Sequence, residues 1–217
     1  MKNKFKIGDF VKVKNGIKDP DYDFIFTDDS QGEITEIDGT LLTIEFDNKT
    51  VADFDLDYLI QIIKDGAEGN EICLEASDVE LTSERDWTDQ EEQIANVRLY
   101  WIWRFEDNLK EYLNYFSEVD VDNEYEIYYT WINYLNEKLQ FPLETEVVES
   151  DSGGLRFGEK VKLLDIEEEV DEKYGVLGIG KAQKGAITCP ICNLEVIDKK
   201  SKSYQPLKDY CIWFANR

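Results

Sequence analysis

In the stretch 19-DPDYDFIFTDDS-30, Asp19, Asp21 and Asp23 fall at every second position, with Asp28 and Asp29 close behind. Clustered carboxylates on a flexible segment are what a hard cation needs, because Ca2+ takes about six to eight oxygen ligands from carboxylates, carbonyls and water. The three aspartates match the opening odd positions of an EF-hand loop, but the match ends there. Phe24 stands where a glycine must make the sharp turn, and Ser30 where a bidentate glutamate must close the site. The run 120-DVDNEYEIYYTW-131 fails in the same two places and leads into an aromatic-rich helical pattern. There Asp120, Asp122 and Glu124 fit a helix N-terminus, where the dipole favours negative charge. The third run, 165-DIEEEVDEKYG-175, holds six carboxylates in eleven residues. Asp165, Glu167 and Glu169 share a face if extended, Asp171 precedes a turn, and Glu144 and Glu146 could complete a site from across the loop. By composition alone, the acidic loops at 19 and 165 read more readily as solvated surface than as ligand sets.

Other chemistries are narrower. The chain has no histidine, which excludes Ser/His/Asp and Cys/His nucleophile pairs and any histidine-ligated metal. Of the four cysteines, Cys189 and Cys192 form one CxxC inside AITCPICNLEVI, a run that reads as strand rather than as the helix N-terminus thioredoxin chemistry requires. A structural zinc site would have to recruit the scattered Cys73 and Cys211, so reduced, buried cysteines are the better reading. The glycines of 175-GVLGIGK-181 fit an alternating strand better than a phosphate loop. Paired carboxylates for acid/base catalysis need an apolar pocket, which charged loops do not offer, so the chain reads as non-enzymatic.

Charge sets the partners. The net charge is −24, and it is uneven: residues 1–18 and 173–217 are each +5, which leaves −34 on residues 19–172. That middle repels DNA and RNA and attracts cations or a basic protein partner. No apolar run approaches the roughly 20 residues of a membrane helix, and the N-terminus has no signal-peptide core, so a cytoplasmic location without membrane contact is expected.

The elements that must carry these carboxylates follow from periodicity. FKIGDFVKVKNG (5–16), QGEITEID (31–38), TLLTIEFD (40–47) and ICLEASDVELT (72–82) alternate apolar and polar residues with glycines at the turns. LRFGEKVKLLD (155–165), KYGVLGIGK (173–181) and AITCPICNLEVID (186–198) repeat that pattern. The reading is α+β, with two small SH3-like β-barrels bracketing a helical hairpin, and with the acidic runs 19–29 and 165–171 as equivalent loops after each opening strand. Ile94, Val97, Trp101, Phe105, Leu109, Tyr112 and Phe116 predict one amphipathic helix over about 88–116, opened by a Thr88/Glu91 capping box. Ile127, Trp131, Leu135 and Leu139 predict a second helix over about 123–139, ended by Pro142. The domains are drawn as a barrel over 1–84, a helical linker over 85–127, and a helix plus barrel over 128–217.

The C-terminal residues carry a resemblance. Phe141-Pro142-Leu143-Glu144, Asp171-x-x-Tyr174-Gly175 and Tyr204-Gln205-Pro206-Leu207-x-Asp209-Tyr210 with Trp213 resemble the cyanobacterial calcium-binding protein (CcbP-like) family over about residues 128–217. The segment 16-GIKDPD-21 is similar to an extra N-terminal barrel of longer bacterial members. The resemblance implies Ca2+ binding by surface carboxylates without EF-hands, to buffer or sense the ion in calcium signalling. It favours ligation over solvation for Asp165, Glu167, Glu169 and Asp171, with Glu144 and Glu146 beside them and Asp19, Asp21 and Asp23 as a second set. The competing reading is an acidic interaction module that docks a basic partner or mimics nucleic acid.

Overall fold

The computed structural model of the chain describes residues 4–27, 29–102, 104–105, 109–149 and 155–217. The architecture is α+β, divided into two compact units, Met1–Trp103 and Arg104–Arg217. Each unit is built on one five-stranded antiparallel sheet.

In the N-terminal unit, β1 (Phe10–Val13), β2 (Gln31–Asp38), β3 (Leu41–Phe46), β4 (Glu71–Glu75) and β5 (Val79–Leu81) pair in the order β4-β3-β2-β1-β5. Alternation turns Val11, Val13, Ile34, Leu42, Ile44 and Leu74 inward, each at most 3 % exposed. Helices α1 (Asn48–Asp53) and α2 (Leu56–Lys64) join β3 to β4. Asp47 and Asp55 cap them by accepting from the N–H of Thr50 and of Asp57 and Tyr58. Helix α3 (Asp89–Ile102) opens with the expected capping box: the Thr88 N–H reaches Glu91 Oε2 at 2.7 Å and the Glu91 N–H reaches Thr88 Oγ1 at 3.2 Å. The Arg98 guanidinium donates to the carbonyls of Val51 (3.3 Å) and Phe54 (2.8 Å), which ties α3 to the end of α1.

The C-terminal unit runs α4 (Leu109–Tyr115), α5 (Glu124–Lys138), β6 (Leu143–Val147), β7 (Lys160–Asp171), β8 (Gly175–Ala182) and β9 (Gly185–Pro190). A 3-10 helix (Ile191–Asn193), β10 (Leu194–Val196) and α6 (Tyr204–Ala215) follow. Its sheet order is β10-β6-β7-β8-β9. Counted within each unit, the two orders are the same: a four-strand meander whose fifth strand returns beside the first. Among the described residues neither sheet closes on itself. The core is aromatic, with Tyr112, Phe116, Trp131, Tyr134, Tyr210 and Trp213 all at most 2 % exposed. Burying each such ring contributes about 1.5–3 kcal/mol. Asp209 enters this core because Tyr112 Oη and Gln205 Nε2 donate to its carboxylate, at 2.5 and 2.7 Å.

Four expectations need correction. The helix predicted over 88–116 is two, since α3 ends at Ile102, α4 begins at Leu109, and Arg104 and Phe105 are non-helical. The apolar stripe stays in phase across the break, so periodicity could not reveal that its halves serve different units. AITCPICNLEVI is not one strand: Pro190 ends β9 and the 3-10 helix places Cys192 off the strand. The acidic run 165–171 is not a loop but the far half of β7. Nor are the two acidic runs equivalent. The Gly8 N–H pairs forward to Ile34 O in β2, whereas the Gly158 N–H pairs back to Val147 O in β6. The shared glycine turn therefore opens the first strand in one unit and the second in the other.

The run from 120 behaves as expected for a helix start. Asn123 Oδ1 accepts from the Glu126 N–H at 3.4 Å, Asp120 Oδ1 accepts from the Asp122 N–H at 3.0 Å, and Glu124 and Glu126 occupy the first turn of α5.

Candidate cation site

Strand β7 outruns β6. Their pairing reaches only Leu143 opposite Leu163, so the rest of β7 is held by β8 alone. Two register shifts lie in that free half, one between Leu163 and Asp165 and one between Ile166 and Val170. The second sets four steps of β7 against two of β8 and contains Glu167, Glu168 and Glu169. Such a bulge twists the ribbon and re-aims its side chains. Asp171 then closes the hairpin, its Oδ1 accepting from the N–H of Lys173 (2.9 Å) and of Tyr174 (2.8 Å). Gly175 adopts φ +68°, where a Cβ would lie 2.4 Å from the Phe214 ring and 2.5 Å from Tyr210 Oη. The Val176 N–H donates to that hydroxyl at 2.8 Å, so α6 fixes the hairpin tip.

The predicted carboxylates meet different fates. Asp165 is exposed and accepts from the Ile166 N–H, Glu167 accepts from Thr188 Oγ1 at 3.1 Å, and Glu169 is exposed in the bulge. Glu144 sits 3.4 Å from Lys162 Nζ, opposite it in register, and Glu146 lies between Lys160 and Glu195. In the N-terminal unit, Asp19 is only 5 % exposed. Its Oδ1 takes the N–H of Asp21 (2.8 Å) and Tyr22 (3.0 Å), and its Oδ2 takes the Tyr58 hydroxyl (2.7 Å). Burial, and then that bond to Asp19, push the Tyr58 phenol far above its ordinary range. Phe24 stacks on Tyr58 with centroids 3.9 Å apart, so the segment after Asp19 is packed structure. Asp21 is exposed, and Asp23 pairs with Lys18 at 2.6 Å, whose hydrogen bond and charge hold its carboxyl below the usual value. Asp28 lies outside the described residues. Among the described residues no three Asp, Glu or Cys side chains converge as a ready metal cage.

One cleft brings oxygen-bearing side chains together with apolar ones. A cavity of about 220 Å³ is lined by Asp171, Tyr174, Glu149, Asn193 and Thr188, over an apolar floor that includes Leu177 and Ile187. Asn193 O accepts from the N–H of Val148 (2.9 Å) and of Glu149 (3.4 Å), which sets the end of β6 against the 3-10 helix and places Glu149 at the rim. The lone soft donor is Cys189, whose thiol is pushed up to about 11 by burial and so stays protonated. Carboxylate, carboxamide and hydroxyl oxygens suit a hard cation, with water completing the shell. Of the nine predicted carboxylates only Asp171 lines this cleft. Glu149, Asn193 and Thr188 were missed, because Glu149 meets Asn193 only beside the pairing of β10 with β6 and Thr188 arrives on a separate strand, β9.

Residues 117–214 match the Calci_bind_CcbP family model, described as calcium binding. Over those residues the chain is similar to the CcbP-like family. This is a calcium-binding family and not an enzyme family, and its match takes in every residue of the cleft in the CcbP-like unit. No curated protein and no solved structure matches the chain. No described helix is long and apolar enough to cross a membrane.

Proposed function

We propose that the chain is a non-enzymatic Ca2+-binding protein of the cytoplasm, which holds the ion in the CcbP-like unit at the cleft bordered by Asp171 and Glu149. The family match carries this reading, and the carboxylate, carboxamide and hydroxyl groups of Asp171, Glu149, Asn193 and Thr188 in the cleft support it. Asp171 is held ready by its own turn, Glu149 by the two bonds to Asn193 O, and Asn193 and Thr188 supply neutral oxygens. Asp165, Glu167 and Glu169 on the same ribbon attract the cation and form an outer reservoir, with Glu144 and Glu146 further back on the sheet. Bound calcium supplies positive charge that relieves repulsion among these carboxylates.

The link from Gly175 and Val176 to Tyr210 favours a sensor over a passive buffer, since ordering the hairpin presses on α6 and the aromatic core behind it. The shared strand order supports two SH3-like barrels as the scaffold. A second role, docking of a basic protein partner, is favoured by the net charge of −24, and steep salt dependence independent of Ca2+ would identify it.

Calorimetric titration with CaCl2 tests the main reading. The wild-type chain should bind, and Glu149→Gln with Asp171→Asn should weaken binding at least tenfold. Absence of heat at millimolar Ca2+ would sink the proposal, and unchanged affinity in the double variant would remove the site from this cleft.

A further inference from the structure

The CxxC spacing pairs Cys189 with Cys192, but their surroundings separate them. Cys189 lies in β9 just before its last residue, is 4 % exposed, and lines the carboxylate cleft. Cys192 sits on the 3-10 helix and lines a different cavity, a groove of about 400 Å³ along α6 that Cys211 also lines. Cys211 Sγ lies 3.7 Å from Ile191 O and 3.9 Å from Leu194 O, the carbonyls that flank the Cys192–Asn193 pair. The 3-10 helix and α6 pack directly against one another, which brings the two cysteine-bearing segments together. Neither residue is wholly buried, although the Cys211 thiol itself lies deep, and all four cysteines are thiols.

We infer that Cys192 and Cys211 are a redox-responsive dithiol that closes to an intramolecular disulfide, and that Cys189 takes no part. With a small-molecule disulfide such as oxidised glutathione as the oxidant, the Cys192 thiolate attacks one glutathione sulfur and expels the other glutathione as thiolate. Cys211 then attacks Cys192 Sγ, forms the protein S–S bond and expels the second glutathione. The two protons of the protein thiols end on two reduced glutathiones, so the dithiol is oxidised as the small disulfide is reduced. Cys192 reacts first, because burial, with Cys192 beside it, raises the Cys211 thiol. Cys192 also contacts Tyr174 O and Asn193 Oδ1, at 3.9 and 3.7 Å, so the bridge would stand between α6 and the residues that wall the carboxylate cleft.

The test is to incubate the reduced full-length chain with oxidised glutathione, alkylate the remaining thiols, and map peptides by mass without reduction. A peptide joining Cys192 to Cys211, with Cys189 still a thiol, is expected. Cys189→Ser should leave the bridge intact, and either Cys211→Ser or Cys192→Ser should abolish it. A Cys189–Cys192 bridge, a lasting mixed disulfide on Cys192 in the wild type, or failure of both Cys192 and Cys211 to react would overturn the inference.

Discussion

Replacing Asp19 by alanine should unfold the N-terminal unit more easily without touching calcium binding. Asp19 accepts three hydrogen bonds, two from the turn that starts 19-DPDYDF-24 and one from the hydroxyl of Tyr58, a residue only 7 % exposed. A hydrogen bond to a charged group contributes about 1.5–3 kcal/mol, and a buried hydroxyl left unpaired costs about 1–3 kcal/mol. The turn amides regain water when the carboxylate goes, whereas Tyr58 cannot, so the net loss is about 3 kcal/mol rather than the sum. For a unit of this size that lowers the midpoint by roughly 12–24 °C. Scanning calorimetry should show the shift in one transition only, while a CaCl2 titration below that temperature gives the wild-type stoichiometry. An unchanged midpoint would refute the structural role, and the loss of a calcium equivalent would show that Asp19 is a ligand.

Gly175→Ala forces a Cβ into Tyr210 and Phe214 at positive φ. It should destabilise the C-terminal unit by about 3 kcal/mol in urea and lower calcium affinity with it, because the tip carries Asp171. The Glu91 carboxyl, bound by the Thr88 N–H and hydroxyl and near Lys49, is held below its ordinary value. Its contribution to α3 is therefore present above the unfolded pKa of about 4.3 and is lost as pH falls through the lowered folded value, which an NMR pH titration of Glu91 should show. Magnesium demands near-octahedral geometry and sheds water reluctantly, so millimolar Mg2+ should displace little Ca2+ in a competition titration. Equal competition would argue against a flexible, carboxylate-rich site.

Local signals were legible where one segment determines its own structure. The Thr88/Glu91 box, the helix from Glu124 to Lys138, and the alternating strands with glycine turns follow from residue type and spacing alone. Helices α1 and α2 were overlooked although Asp47 and Asp55 mark their starts, because the strand pattern on either side drew the reading past them. The acidic run at 165 looked like a loop because its charges hide the alternation of a ribbon with only one neighbouring strand over that half. The cleft was the least legible feature. Glu149 and Asn193 meet only once β10 pairs with β6, a non-local contact that leaves no mark in either segment.

The most direct test of the central claim is a crystal structure of the chain grown or soaked in CaCl2, with the anomalous signal used to locate the ion. Calcium is predicted within about 2.3–2.6 Å of carboxylate oxygens of both Asp171 and Glu149. Calcium bound elsewhere, on Glu167 and Glu169 alone or at Asp21 and Asp23, with the cleft holding only water, would contradict the account.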